Sequence, residues 1–252
     1  MLQPESKRAF TRDQYDAVLL DLDGVITDTA SIHAACWKEM FDRYLQQRAT
    51  QQGEAFRPFD ITADYRLYVD GKPRFDGVRD FLTSRGIQLP EGSPDDPPEA
   101  ETVGGLGNRK NELVNKIIEE KGVEPYPGSV KLLQQLRRRG FKIAVVTSSQ
   151  NCAAVLKSAK LDDFFDAQVD GNTIHTQKLH GKPAPDTFLM GAKLLAVEPS
   201  RAVVIEDALS GVEAGSAGGF GLVIGVARKG NAEELRHHGA HLVVSDLGEL
   251  VN

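Results

Sequence analysis

The deciding stretch of this sequence is Asp21-Leu22-Asp23-Gly24-Val25-Ile26-Thr27-Asp28-Thr29, which follows the apolar run Ala17-Val18-Leu19-Leu20. The apolar run predicts a buried β-strand, so Asp21 and Asp23 stand at its carboxyl end, where open α/β sheets bind ligands. Residues two apart in an extended chain point to the same side. Two neighbouring carboxylates resist joint ionisation unless a cation joins them or one keeps its proton. Taken alone, the stretch fits either an acidic site or an ordinary Asp-Gly turn.

Composition and charge exclude several classes of protein. The chain has 252 residues, 40% apolar and 26% charged, which is typical of a globular protein of one or two domains. A net charge of −6 gives no reason to expect a nucleic-acid partner. No apolar run approaches the roughly 20 residues that span a membrane. Residues 1–13 are polar and lack the apolar core of a signal peptide, which predicts a mobile tail and a cytoplasmic protein. Cys36 and Cys152 are interpreted as small buried residues.

The order of the predicted elements indicates an α/β protein with a helical insertion. From residue 130 onward, β-branched strands alternate with helices, which is typical of a parallel sheet covered by helices. The predicted strands are Lys142–Val146, Ala167–Val169, Ala202–Ile205, Leu222–Val226 and Leu242–Val244. Before them, helices are predicted at 29–48, 60–68, 77–85 and 108–121, with a Pro-, Gly- and acid-rich functional or mobile loop at 90–107. We expect a core of residues 14–32 and 113–252 and a helical domain at 33–112.

Polar residues follow three of the predicted strands. They are Asp21 and Asp23, Thr147-Ser148-Ser149, and Glu206-Asp207. If these strands are parallel neighbours, their polar ends gather at one edge of the sheet. Lys182, in the loop Gly181-Lys182-Pro183-Ala184-Pro185, adds a cation, although by itself it would fit a solvated surface lysine equally well.

Four acids, a hydroxyl and a lysine are the groups that phosphoryl transfer through an aspartyl-phosphate requires. An ionised Asp is repelled by phosphate, at about 1 kcal/mol per like pair at 4 Å in water and several times more in a drier site. Mg²⁺ removes that repulsion and prefers oxygen ligands. We expect it to be held by Asp21, Glu206, Asp207 and a backbone oxygen of Asp23. Lys182 and Thr147 would stabilise the remaining phosphate oxygens, and the Asp23 side chain would move the proton.

These motifs resemble those of the haloacid dehalogenase superfamily of aspartyl-phosphate phosphatases and phosphomutases, from residue 16 onward. The resemblance implies that Asp21 is the nucleophile and Asp23 the acid and base. It matches Thr147 to the hydroxyl of the second motif, Lys182 to the lysine of the third, and Glu206-Asp207 to the metal-binding fourth. It also implies a Rossmann-like, doubly wound parallel sheet with a mobile α-helical cap of the C1 type.

Within that superfamily the sequence resembles the β-phosphoglucomutase-like subgroup. The run Ile26-Thr27-Asp28-Thr29-Ala30, with His33 and Trp37, is similar to the entry into the cap. This implies that His33 helps to close the cap and orient Asp23, whereas spacing alone fits a packing role. The further substrate-binding residues that the resemblance implies are Gly71, Lys72, Arg74, Lys110, Ser148, Ser149 and Asn151. Asp70 and Pro73 stand where the subgroup has a lysine and a serine, and Lys72 would restore the lost cation.

The expected function is Mg²⁺-dependent transfer of phosphate between C1 and C6 of a hexose phosphate, by a monomer that converts β-glucose 1-phosphate to glucose 6-phosphate through the 1,6-bisphosphate. A sugar-phosphate phosphatase would use the same core residues, so that alternative stays open. Lys72 and Arg74 favour the mutase because the second phosphate of a bisphosphate needs a cation. A dehalogenase needs no metal and would leave Glu206-Asp207 without a purpose. A receiver that only stores phosphate would not need the insertion.

Overall fold

The computed structural model describes residues 10–228 and 230–251, which divide into two compact units. One unit is Thr29–Val123, and the other comprises the chain before and after it. The insertion is therefore wider than the expected 33–112, because continuous helices begin at Ala30 and end at Lys121 and the connections lie beyond their outer ends.

The predicted polar tail is corrected in part. Residues 1–9 lie outside the described part of the chain. Phe10, however, is buried, and its ring packs edge-on against Phe141 with 5.6 Å between centroids. Arg12 donates a hydrogen bond to Asp16 at 3.1 Å. The core unit thus includes residues 10–13, because the one aromatic ring of this stretch finds an apolar partner.

The insertion consists of helices α1 (Ala30–Gln52), α2 (Arg74–Ser84) and α3 (Val103–Lys121), with a π-helical turn at Tyr65–Val69. Their apolar faces enclose a cluster of aromatic rings in which Phe41 lies 4.2 Å from Phe81 and 5.3 Å from Trp37, centroid to centroid. Helix α1 is longer than predicted because Ala49 is still buried. It ends where Gly53, with φ 65, adopts the left-handed conformation of a C-terminal cap.

Helices α2 and α3 both begin earlier than predicted. Arg74, expected in a turn, is the first residue of α2. The glycines at the start of α3 were interpreted as loop, yet an added Cβ would lie 2.1 Å from the Ser93 carbonyl oxygen at Gly104 and 2.2 Å from that of Ala100 at Gly105. Glycine is required here because the preceding chain crosses the helix closely.

The Pro-rich segment before α3 is packed rather than open. Asn108 Nδ2 donates hydrogen bonds to the carbonyl oxygens of Pro94 and Asp96, both at 2.8 Å. Arg109 Nε donates to the carbonyl oxygen of Pro98 at 2.6 Å. The expectation that 90–107 is an unpacked loop is therefore wrong, because residues 103–107 are helical and the carbonyl groups of Pro94, Asp96 and Pro98 accept hydrogen bonds.

The core unit contains a six-stranded parallel sheet, which confirms the predicted fold. Its strands are β1 (Ala17–Leu20), β2 (Lys142–Val146), β3 (Ala167–Val169), β4 (Ala202–Glu206), β5 (Leu222–Val226) and β6 (Leu242–Val244), in the spatial order β3-β2-β1-β4-β5-β6. The order reverses beside β1, so right-handed crossovers place helices on both faces. Leu20 of β1 pairs with Val145 and with Ile205, so β1, β2 and β4 end at one edge.

The helices of the core unit are α4 (Pro127–Arg138), α5 (Cys152–Ser158), α6 (Gly171–Gln177), α7 (Asp186–Leu194), α8 (Leu209–Ala217) and α9 (Ala232–His237). Helix α6 was not predicted because its sequence is mostly polar, and it starts where Asp170 accepts a hydrogen bond from Thr173 N at 2.9 Å. Helix α7 packs closely on the sheet, since a Cβ at Gly191 would lie 2.8 Å from Leu19. None of the helices described is both long and apolar enough to span a bilayer.

Candidate active site

The carboxyl edge of the sheet brings together the polar side chains of three strand ends. Asp21 follows β1, and Thr147 follows β2. Glu206 is the last residue of β4, and Asp207 follows it. All four side chains belong to buried residues. Taking an ion out of water costs several kcal/mol unless a partner compensates it, so the arrangement is explained by the contacts below.

Lys182 lies between two of these carboxylates. Its ammonium donates hydrogen bonds to Asp21 Oδ1 at 2.6 Å, to Glu206 Oε1 at 2.7 Å and to the Val146 carbonyl oxygen at 3.0 Å. These three acceptors use all of its N–H groups. The Lys182 side chain is 0% exposed, and its ammonium lies 4.8 Å from the centroid of the Phe188 ring. The alternative of a solvated surface lysine is therefore wrong.

The buried charges shift each other's pKa values. Burial opposes the charged form of Lys182, but the carboxylates of Asp21 and Glu206 outweigh it and raise the lysine pKa. Burial also raises the pKa of Asp21 well above its ordinary value of 3.8, and Glu206 and Asp23 add to that rise while Lys182 opposes it. One ammonium among the carboxyl groups of Asp21, Glu206 and Asp207 thus leaves this edge short of positive charge.

Three carboxylates form a cluster that suits a divalent metal. One oxygen each of Asp21, Glu206 and Asp207 lies within 4.8 Å of the others. Carboxylate oxygens are the ligands that hard divalent cations prefer, and a cation would balance the excess negative charge. Both oxygens of Glu206 are held, because Oε1 accepts from Lys182 and Oε2 accepts a hydrogen bond from Ala208 N at 2.8 Å. Among the described residues, the Asp23 side chain lies outside this cluster.

The Asp23 side chain instead contacts the turn after β2, where the sequence predicts phosphate binding. Thr147 Oγ1 donates to Asp23 Oδ2 at 3.3 Å and accepts from Ser149 N at 3.1 Å. Ser149 Oγ in turn accepts from Asn151 N at 3.2 Å. The structure thus joins the side chain expected to move a proton to the hydroxyl expected to hold phosphate. Ser148 lies within the same turn.

The turn after β1 is held close to the metal-site carboxylates. Gly24 has a φ of +90, and an added Cβ would lie 2.1 Å from Asp207 Oδ2, so both the backbone conformation and the close approach require glycine. On the other side of the turn, Arg228 Nε donates to the Gly24 carbonyl oxygen at 2.7 Å. The spacing between Asp23 and Asp207 is thus set by a tightly packed turn.

Within the insertion, two of the predicted residues contact each other. Lys110 Nζ lies 2.7 Å from His33 Nδ1, and the same ammonium lies 4.9 Å from the centroid of the Trp37 ring. Because an ammonium has only donors, we assign Nδ1 as the acceptor and the ring proton to Nε2. Lys110 and Trp37 are buried, which agrees with a packing role for the tryptophan.

The other predicted cations of the insertion have different surroundings. Lys72 forms an ion pair with Asp80 at 2.6 Å. Arg74 Nη2 donates to Asn108 Oδ1 at 2.8 Å, and burial lowers the pKa of Arg74. Gly71, in the turn before them, has a φ of +72. The Lys72 ammonium is thus already paired with a carboxylate of α2, and its expected role as the replacement cation stays a prediction.

Comparison with known proteins identifies the family. The sequence model of the haloacid dehalogenase-like hydrolases matches residues 15–219. The chain belongs to this family. It is 54% identical to a β-phosphoglucomutase of Mycobacterium bovis, over 93% of this chain and 91% of that enzyme. It is 29% identical to the fructose-1-phosphate phosphatase YqaB of Escherichia coli, over 84% and 96%. The crystal structure of a β-phosphoglucomutase from Clostridium difficile superimposes with a TM-score of 0.74 at 28% identity, covering 94% of this chain and 93% of that one.

This haloacid dehalogenase-like hydrolase is therefore an enzyme, a phosphomutase or a phosphatase, as expected. Two polar residues near its sheet edge were missed from the sequence. Asp170 follows β3, and Arg228 comes two residues after β5. Both come after strands of the sheet, as Asp21 does, so inspecting the residues after every predicted strand would have found them.

Proposed function

We propose that this chain is a Mg²⁺-dependent β-phosphoglucomutase-type enzyme, which converts β-glucose 1-phosphate to glucose 6-phosphate through the 1,6-bisphosphate. The observation that carries phosphoryl transfer is the buried Lys182, bonded to Asp21 and Glu206, beside a carboxylate cluster suited to a metal. The identity of 54% to a β-phosphoglucomutase over 93% of the chain supports the mutase over other phosphoryl transfers.

In the proposed reaction, phosphate passes through Asp21. A hydroxyl of the sugar monophosphate attacks the Asp21-bound phosphorus and gives its proton to Asp23, so the bisphosphate forms and Asp21 is released. The bisphosphate then presents its other end. The Asp21 carboxylate attacks that phosphorus, the bond from phosphorus to the sugar oxygen breaks, and Asp23 returns the proton to the leaving oxygen.

Charge stabilisation comes from the residues around Asp21. The Lys182 ammonium and the Thr147 hydroxyl are placed to offset the negative charge that develops on the phosphate oxygens. Asp21, Glu206 and Asp207, with the Asp23 backbone oxygen, would hold the metal. When bound, Mg²⁺ would neutralise part of the charge that the carboxylates share with the phosphate.

The direct test is to incubate the protein with β-glucose 1-phosphate, a trace of the 1,6-bisphosphate and Mg²⁺. The proposal predicts that glucose 6-phosphate accumulates and that little free phosphate appears. Stoichiometric release of phosphate without glucose 6-phosphate would instead support the second candidate, a sugar-phosphate phosphatase, which the 29% identity to a fructose-1-phosphate phosphatase keeps open.

We also propose that Arg74 binds the second phosphate of the bisphosphate. A guanidinium binds phosphate in a bidentate manner, and a charge-assisted pair contributes about 2 kcal/mol, or some thirtyfold in rate. Arg74→Ala should therefore reduce isomerisation by that factor and leave hydrolysis of acetyl phosphate, which has no second phosphate, within about threefold.

A matched control for this variant is Arg79→Ala on the same helix. Arg79 is 42% exposed and pairs with Asp76 and Glu91, so its loss should change neither reaction. If Arg74→Ala lowers both reactions equally, or neither, Arg74 does not bind the second phosphate and the mutase proposal loses its main support within the insertion.

A further inference from the structure

The turn that follows β1 closes on itself through its own amides. Gly24 N donates to the Thr27 carbonyl oxygen at 2.8 Å, and Ile26 N donates to that of Leu22 at 2.9 Å. Gly24 and Val25 are buried, so their carbonyl oxygens cannot turn to solvent. A buried carbonyl without a donor costs free energy comparable to a lost hydrogen bond, so the turn is stable only if other segments supply donors.

Arg228 and Ser129 supply those donors. Arg228 Nε donates to the Gly24 carbonyl oxygen at 2.7 Å, and its Nη2 donates to the Val25 carbonyl oxygen at 3.3 Å. The fully buried Ser129 donates from Oγ to the same Val25 oxygen at 2.7 Å. The turn beside the nucleophile is thus held by donors from α4 and from the segment after β5.

The Arg228 guanidinium is itself held rigidly. Its Nη1 donates to Asp246 Oδ2 at 2.8 Å, and its Cζ lies over the Tyr126 ring at 3.5 Å from the ring centroid. The Tyr126 hydroxyl donates to Asp28 Oδ1 at 2.7 Å, which fixes the ring in turn. A planar fork that stacks on a ring and binds three acceptors is specific to arginine, because a lysine ammonium can reproduce neither the stacking nor the spread of donors.

The turn after β1 lies between Asp23 and the metal-site carboxylate of Asp207. Asp23 immediately precedes Gly24, and the Gly24 Cα faces the Asp207 carboxylate so closely that a Cβ would lie 2.1 Å from it. We propose that Arg228 is a positioning residue for phosphoryl transfer. By holding the Gly24 and Val25 carbonyls, it fixes the distance between the Asp23 side chain and the metal-site carboxylate of Asp207. The inference rests on phosphoryl transfer at Asp21 and applies to a mutase and a phosphatase alike.

The test compares Arg228→Ala and Arg228→Lys with the wild type, all loaded with Mg²⁺. Arg201→Ala is the matched control, since Arg201 pairs with Asp16 before β1 and β4, at the opposite edge of the same sheet. Three quantities are measured: kcat and KM for acetyl phosphate hydrolysis, the Mg²⁺ concentration that gives half-maximal rate, and hydrogen exchange of the peptide covering 22–28 without metal. Acetyl phosphate is chosen because it requires no particular sugar, so a failure of the mutase assignment does not affect the outcome.

For Arg228→Ala we expect kcat to fall about thirtyfold, with KM within about threefold, because the reacting groups are misplaced while the substrate contacts remain. The Mg²⁺ requirement should rise, and the amides of Gly24 and Ile26 should exchange faster. Arg228→Lys should lie between Ala and the wild type, and guanidinium ion added to Arg228→Ala should restore part of kcat. Arg201→Ala should match the wild type in all three measurements.

The proposal is overturned if Arg228→Ala melts at a lower temperature yet keeps the wild-type kcat, Mg²⁺ requirement and exchange rates over 22–28, because Arg228 then only stabilises the fold. Should Arg228→Ala fail to fold, Arg228→Lys decides. An unchanged kcat and Mg²⁺ requirement in that variant would equally contradict the proposal, since lysine lacks the fork that reaches both carbonyls.

Discussion

Replacing Lys182 by methionine tests the centre of the site. Methionine keeps much of the volume and the apolar stem that packs near Phe188, but removes the ammonium that bonds Asp21 and Glu206 at 2.6 and 2.7 Å. The metal-free protein then buries two carboxylates without a cation. Breaking a buried ion pair by removing one partner destabilises a fold by about 3–5 kcal/mol.

The upper bound on the loss can be derived from proton binding. The variant can restore its charge balance if one buried carboxyl keeps its proton. An Asp of ordinary pKa 3.8 takes up that proton at pH 7 at a cost of about 4.4 kcal/mol, since each pH unit above the pKa costs about 1.36 kcal/mol. At pH 5 the same cost is only about 1.6 kcal/mol. We therefore expect Lys182→Met to lose about 3–4.4 kcal/mol at pH 7 and about 1.6 kcal/mol or less at pH 5.

The assay is urea unfolding in the presence of a chelator at both pH values, repeated with Mg²⁺. The control is Lys116→Met on α3, where the ammonium is 4.0 Å from Glu120, the lysine side chain is 72% exposed and the loss should stay below about 0.5 kcal/mol. Mg²⁺ should stabilise Lys182→Met more than the wild type, because it then replaces the missing positive charge. Phosphoryl transfer should fall at least about a hundredfold.

Two results would refute this reasoning. A loss below about 1 kcal/mol at pH 7 would mean that Lys182 does not compensate the buried carboxylates. A loss that is the same at pH 5 and pH 7 would mean that the destabilisation comes from packing, because a charge imbalance must weaken as protons become available.

Three more outcomes are expected elsewhere in the core unit. Gly24→Ala should raise the Mg²⁺ concentration needed for activity, since its Cβ would lie 2.1 Å from a metal-site carboxylate, and an unchanged requirement would contradict this geometry. Asp21→Asn should trap no phosphoenzyme from acetyl phosphate, whereas Asp23→Asn should still trap it, and equal trapping by both would exclude Asp21 as the nucleophile. Burial raises the pKa of Asp246, but Arg228 and a backbone N–H outweigh it and lower that pKa below 3.8. The loss of unfolding free energy caused by Asp246→Asn should thus be largest above pH 3.8 and should shrink as the pH falls below that value. A loss in urea unfolding that does not depend on pH would refute the pairing.

The sequence by itself determined the core of this enzyme. The strands from Ala17 to Val244 were predicted nearly residue by residue, because strands buried on both faces are continuous apolar runs between polar turns. The acids after β1 and β4 predicted the catalytic edge, because parallel neighbours must end together. These features depend only on local pattern and on strand direction, so a single chain is enough to reveal them.

Only the tertiary structure decided where helices begin and which charges are already paired. Gly104 and Gly105 suggest a loop by composition, yet they are helical, and glycine is required there because the chain at Ser93 and Ala100 crosses the helix closely. In the sequence, nothing marks the pairing of Lys72 with Asp80, eight residues away. Similarly, Arg228 and Gly24 are 204 positions apart, and their hydrogen bond exists only because the sheet brings the ends of β1 and β5 to one edge. Such contacts depend on side-chain packing between distant segments, which the period of a local pattern does not encode.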